Sequence, residues 1–169
     1  MNEAARKRAL SLLDKRDYSR KMLIDKLTDK GVTAEDAAEV VDRLCAVGVV
    51  DDARYAALVV RHYSGRGYGE RRIREELYHR GIGRELWDEA LEEAGEPDST
   101  VYRLLSARLR GSVSPEDMER ARSYLLRRGF SREEVRGALE RYASENEERY
   151  WNIKTEKLRS SRWAAPRTW

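Results

Sequence analysis

GVVDDARYAALVVRHYSGRGYGERRIREELYHRGI, residues 48–82, decides the fold. It opens on an apolar pair, Val49-Val50, expected to be buried. Asp51 or Asp52 comes next, and either side chain can accept from the free N–H groups of a helix start. Tyr55, Ala56, Leu58, Val59 and Tyr63 then recur at the 3.6-residue period of an amphipathic helix, which residues 64–69 bring to an end. A second helix over residues 70–80 turns Ile73 and Leu77 inward. Arg80-Gly81 closes it, a cation in the last turn and a glycine able to take the left-handed conformation.

Working outward, the same grammar covers the chain. Residues 3–14 predict a helix with Ala5, Ala9, Leu10, Leu12 and Leu13 near one face. Ser19 caps a second helix carrying Leu23, Ile24 and Leu27, and Thr33 caps a third with Ala37, Val40, Val41, Leu44 and Val47 as its stripe. Beyond the central stretch, Leu86, Trp87, Ala90, Leu91 and Ala94 mark one helix before the Gly95-Glu96-Pro97 break. Val101, Leu105 and Leu109 mark the next, Ser114-Pro115 starts another, and Val135, Ala138, Leu139 and Tyr142 lie on the last. No run alternates with period two, so the fold class is all-α.

Superimposing these passages on their glycines exposes a repeat. Lys30-Gly31-Val32, Arg80-Gly81-Ile82 and Arg128-Gly129-Phe130 correspond, and a leucine stands four residues before each glycine: Leu27, Leu77 and Leu125. Apolar residues also recur six and ten positions after it. The chain thus reads as three tandem three-helix repeats, helix-turn-helix-like, over residues 1–48, 49–96 and 97–143, with a C-terminal extension at 144–169. Units this small bury little surface alone, so the expected molecule is elongated and curved, with neighbours completing one another's cores.

Composition sets limits. Charged residues make up 38% of the 169 residues and aromatics 8%; the formal net charge is +3 and the isoelectric point about 9.0. That balance is too mild by itself to indicate a nucleic-acid binder. The basic excess falls toward the C-terminal half, +3 over 98–143 against −3 over 51–97. One cysteine, Cys45, rules out an internal disulfide and reads as a small core residue; two histidines, His62 and His79, lack ligand-spaced companions. No metal, cofactor or catalytic residue is expected. With no secretory-type start and no apolar run of membrane length, the expectation is a cytoplasmic protein with no membrane partner, acting as a monomer.

Gly65-Arg66-Gly67-Tyr68-Gly69 lacks the preceding strand and trailing Gly-Lys-Ser/Thr of a phosphate loop. It reads either as a plain turn or as one presenting Arg66 and Tyr68 to a partner. Arg61 precedes it, and Arg71, Arg72, Arg74 and Arg80 lie on the next helix, where Arg71–Glu75, Arg72–Glu76 and Glu76–Arg80 are spaced as i,i+4 ion pairs. Arg122, Arg127, Arg128 and Arg132 form a second basic strip, with Arg120 and Arg136 beside them and fewer acids. The third helices begin with carboxylates such as Glu35-Asp36 and Glu133-Glu134, which disfavours reading of a duplex groove. The extension is expected to continue as helix and then to be disordered or to rest on the third unit; Arg162, Trp163, Arg167 and Trp169 in it could instead stack on single-stranded bases.

The run Gly48-Val49-Val50-Asp51-Asp52-Ala53-Arg54-Tyr55-Ala56 resembles the apolar-Asp-Asp-x-x-aromatic-Ala signature of the RecX family. Arg61 through Gly69, Arg72-Ile73 and Glu76-Leu77-x-x-Arg80-Gly81 continue it, and Tyr124-Leu125 with Arg127-Arg128-Gly129-Phe130-Ser131 resembles the signature of that family's third repeat. The similarity covers about residues 5–143. The family usually carries proline where this chain has Glu70. The resemblance implies a non-enzymatic regulator, mainly an inhibitor, of the RecA recombinase. It would bind in the groove of the RecA filament on single-stranded DNA, blocking extension and promoting disassembly, and so modulate recombination, repair and the SOS response. On this reading Arg61, Arg66, Tyr68, Arg71, Arg72, Arg74, Arg80, Arg122, Arg127, Arg128 and Arg132 face RecA or DNA, while Leu27, Gly31, Asp51, Asp52, Tyr55, Leu77, Gly81, Leu125, Gly129 and Phe130 shape the repeats. A helical module binding DNA directly and a generic protein-interaction scaffold are the alternatives.

Overall fold

The computed structural model describes residues 2–149, 151 and 155–156, and every regular element among them is helical. The Arg-Trp pattern of residues 160–169 lies outside the described residues. The described residues form two compact units: 2–66 with 70–95, and 67–69 with those described from 96 onward.

In the first unit, α1 (Glu3–Leu13), α2 (Arg20–Thr28) and α3 (Ala34–Ala46) surround a core of Ala5, Ala9, Leu23, Leu27, Val40 and Val41, with Cys45 packed at its edge. α4 (Asp52–Gly65), α5 (Glu70–His79) and α6 (Trp87–Leu91) surround a second core built on Tyr55, Val60, Ile73, Leu77 and Trp87. The two cores are joined by polar contacts that periodicity does not encode. The Ser19 hydroxyl, fully buried, donates to the Arg80 carbonyl at 2.5 Å while accepting the Met22 N–H that caps α2. Asp52 accepts from the Arg20 N–H at 2.7 Å, leaving Asp51 as the cap of α4, where it accepts from the Arg54 N–H at 3.0 Å. The adjacent aspartates therefore have different tasks, one inside its own helix and one across to α2.

The second unit packs α7 (Pro97–Leu109), α8 (Pro115–Arg127) and α9 (Arg132–Glu145) around Val101, Leu105, Ala121, Leu125, Phe130 and Val135. Ser114 caps α8, and Ser131 with Glu134 makes a reciprocal capping box at α9. Gly67–Gly69 belongs to this unit: the Gly69 N–H donates to the Arg128 carbonyl at 2.9 Å.

One corner recurs after α2, α5 and α8. Gly31, Gly81 and Gly129 take φ of +82°, +69° and +94°. The next residue's N–H reaches back to the carbonyl of Leu27, Leu77 or Leu125 at 3.1, 3.1 and 3.3 Å, and all three leucine side chains are fully buried. This bond satisfies a helix-end carbonyl that would otherwise lack a partner. The element after the corner is not the same in each repeat. Thr33 and Ser131 cap a full helix, whereas Gly83 offers no side-chain oxygen, and its element starts as a 3-10 turn, Arg84–Leu86. The single helix expected there is accordingly the five-residue α6 flanked by Arg84–Leu86 and Glu92–Ala94.

Some apolar residues are not where the periodicity puts them. Val47 is 72% exposed because it lies just past the last residue of α3, where the helical phase ends. Val50 is buried but its neighbour Val49 is exposed, so the pair divides between core and solvent. Leu58 is exposed and Val60 takes its place, which turns the stripe of α4 slightly from the expected direction; Leu10 of α1 is exposed as well.

Candidate functional site

The arginines of α4 and α5 are exposed or half-buried, and most are answered by carboxylates. Arg61 meets Glu93 at 3.1 Å, Arg71 meets Glu75 at 3.0 Å, and Arg74 bridges Glu70 at 2.7 Å and Asp88 at 3.0 Å. Arg72 reaches Glu75, three residues on, in place of the Glu76 that spacing suggested. Arg66 lies 3.2 Å from the ring nitrogen of His62. These pairs are mostly open to solvent and individually contribute little to stability, on the order of a few tenths of a kcal/mol.

Arg80 is a different case. Its guanidinium meets Glu76 at 2.7 Å and donates to the Tyr55 hydroxyl at 2.5 Å, with the charge 5.8 Å from the centre of the Tyr55 ring. Burial opposes the charge on both groups, yet the hydrogen bonds win: Glu76 is held below the usual carboxylate range by Arg80 and Tyr63, and Arg80 is pushed above its ordinary value by Tyr55 and Glu76. The Arg80 carbonyl also accepts from Ser19. Arg80 therefore closes the α5 corner from inside and offers little free charge.

In the second unit the structure brings two candidates into one clamp. Arg128 donates to the Gly67 carbonyl at 2.8 Å, with its charge 4.7 Å from the Tyr68 ring centre and 5.2 Å from that of Tyr124. Gly67 and Gly69 are buried against this corner, and a methyl group on Gly69 would sit within 2.5 Å of the Gly129 carbonyl group. Arg127 and Arg132 are exposed and have no carboxylate in ion-pair range among the described residues. Arg122 meets Glu119 only at 3.5 Å. Arg122, Arg132 and Arg136 line an open cleft of about 670 Å³ between α8 and α9, floored by Leu139 and bordered by Glu133 and Glu140. Arg136 sits loosely between those two glutamates, at 3.9 and 3.8 Å. A guanidinium with a distant partner can exchange it for a planar oxyanion of another molecule at small cost.

Tyr78, 63% exposed on α5 one turn after Arg74, is absent from the sequence-derived candidates. Its position outside the apolar stripe was the only signal for it. Among the described residues no cluster of histidine, cysteine, aspartate and glutamate could hold a metal, and no helix is long and apolar enough to cross a membrane.

Fold and surface together define an all-helical protein of three-helix domains with arginine-lined faces. Models of the first and second three-helix domains of RecX match residues 5–44 and 51–91. The Regulatory protein RecX of Xanthomonas oryzae pv. oryzae (strain MAFF 311018) is 40% identical over 134 residues, 78% of this chain and 84% of its own. The Regulatory protein RecX of Halorhodospira halophila is 35% identical over 151 residues, covering 88% and 93%. The crystal structure of RecX from Lactobacillus salivarius shares the fold, with a TM-score of 0.70 at 21% identity over 82% of this chain and 94% of that one. This chain belongs to the RecX family, and its relatives are regulatory proteins.

Proposed function

We propose that this protein regulates the RecA recombinase, mainly as an inhibitor, by lodging in the groove of the RecA filament on single-stranded DNA. There it blocks extension and promotes disassembly, and so tunes recombination, repair and the SOS response without catalysing a reaction. The observation that carries the reading is the threefold corner at Gly31, Gly81 and Gly129, considered together with membership of the family. A protein that repeats one unit suits a partner that repeats one subunit, since contacts at 1–48, 49–96 and 97–143 gain from effective concentration even where each is weak.

Within that reading the arginines divide by what already holds them. Arg80 and Arg128 keep the corners in shape, and exposed Arg127 and Arg132, together with Arg122 at the cleft, supply charge for encounter and register. The test is RecA ATP hydrolysis on single-stranded DNA with this protein added below stoichiometry. Inhibition is expected, and the double variant Arg127→Glu/Arg132→Glu should need about tenfold more protein for the same effect, about 1.4 kcal/mol. ATP hydrolysis indifferent to the wild-type protein at every ratio would refute the function; equal inhibition by wild type and variant would refute the role of these two arginines.

A further inference from the structure

The first unit carries a basic groove that the proposed regulation does not use. Lys7, Arg8, Ser11, Leu12 and Lys15 from α1 and the turn after it, with Lys30 after α2, line a groove of about 500 Å³ that contains no carboxylate. Several cations elsewhere in this unit are answered by carboxylates: Lys21 by Asp25 at 2.6 Å, Lys26 by Asp29 at 3.3 Å and Arg20 by Asp42 at 2.7 Å. Lys7, Arg8, Lys15 and Lys30 are all exposed, and among the described residues none lies in ion-pair range of an acid. Four like charges sharing one groove repel one another, and an incoming anion relieves that repulsion.

We propose that this groove docks the phosphodiester backbone of duplex nucleic acid, irrespective of sequence. Lys7, Ser11 and Lys15 succeed one another at i, i+4 and i+8, and the right-handed helical backbone of Asp14 carries the row past the end of α1. At 1.5 Å per residue the row is about 12 Å long with side chains about 6 Å apart. A duplex presents one charge per about 1.7 Å of axis, so a straight, stiff row of that length meets several phosphates at once. Lysine, arginine and serine are the side chains that contact phosphate and position a protein without reading bases. No aromatic ring lines the groove, so it lacks the stacking platform with which proteins hold single strands.

Cations near helix C-termini also complement the helix dipole, but here that end is already occupied. The Lys30 carbonyl accepts from Arg8 at 3.0 Å, and the Leu27 and Thr28 carbonyls accept from backbone N–H groups of the corner. Arg8 thus serves that helix end itself, and the charges of Lys7, Lys15 and Lys30 are left for another molecule.

The test uses the full chain without RecA, so its result is separate from that of the regulatory reading. Binding to a labelled mixed-sequence duplex is measured by fluorescence anisotropy over a salt series, for wild type, Lys7→Ala/Lys15→Ala and a control with the same charge loss, Arg43→Ala/Arg103→Ala. With about 0.9 counterions released per phosphate contact, the Lys7/Lys15 variant should lower the log–log salt slope by about 1.8 and weaken low-salt binding about tenfold. The control should track wild type. No duplex binding by wild type, parallel plots for wild type and the Lys7/Lys15 variant, or equal losses in both variants would overturn the proposal. Tighter binding to a single strand of the same length, or to polyglutamate, would overturn the assignment to duplex.

Discussion

Gly69→Ala should loosen the second unit through one methyl group. Gly69 does not take a positive φ, so the backbone alone would accept alanine; the obstacle is space, because the new carbon would meet the backbone of Gly129 and Phe130. Backbone cannot swing aside as a flexible side chain can, so residues 67–69 must withdraw. Withdrawal breaks the Gly69 N–H bond to the Arg128 carbonyl, the Arg128 bond to the Gly67 carbonyl, and the Arg128 contact with the Tyr68 ring. At about 1 kcal/mol for the first, about 1.5–3 for the charged second and about 0.5–1 for the third, the non-additive total is about 3 kcal/mol. Hydrogen exchange with mass spectrometry reads this directly: amides of α8 and α9 should exchange about 150-fold faster, with those of α1 to α3 unchanged. Gly65→Ala is the control, since nothing lies within 4 Å of its added carbon and the residue is helical. Unaltered protection of α8 and α9 in Gly69→Ala would refute the argument, as would equal loss in both variants.

Three further substitutions probe the helices themselves. Gly137 lies within α9 with open space around it, so Gly137→Ala should stabilise the protein by about 0.5–1 kcal/mol, read as a higher urea midpoint at constant slope. Leu77→Ala should cost about 2–5 kcal/mol by leaving a cavity in a fully buried site, again measured by urea unfolding. Glu76 titrates below its ordinary range when folded, so its contribution is present above the unfolded value near about 4.3 and is lost as pH falls through the folded value. Stability measured from pH 6 to pH 3 should therefore fall less steeply in Glu76→Gln than in wild type.

Local signals in the chain were dependable. Ser19, Thr33, Asp51 and Ser114 each accept the N–H expected of a cap, and Gly31, Gly81 and Gly129 each take the left-handed turn, because both devices depend on only a few neighbouring residues. The pattern could not tell where long side chains end. Arg128 and Arg127 are adjacent in sequence, yet one is held by a carbonyl sixty-one positions away and the other is exposed to solvent. The same holds for Ser19, legible as a cap but not as the donor to Arg80. Periodicity also fails at element ends, which is why Val47 looked internal and is not. The groove of Lys7, Lys15 and Lys30 was hidden because the charges of residues 7–15 sit in a stretch whose overall balance is nearly neutral, and Lys30 joins them only through the fold.

The membership of Gly67–Gly69 in the second unit bears on how a gene for this protein can be divided. A boundary drawn at the obvious break, Gly95-Glu96-Pro97, yields a downstream fragment whose Arg128 has lost its carbonyl acceptor and whose Phe130 corner has lost its cover. Such a fragment would behave worse than its three helices suggest, and supplying the tripeptide as a short appended linker would be the natural repair.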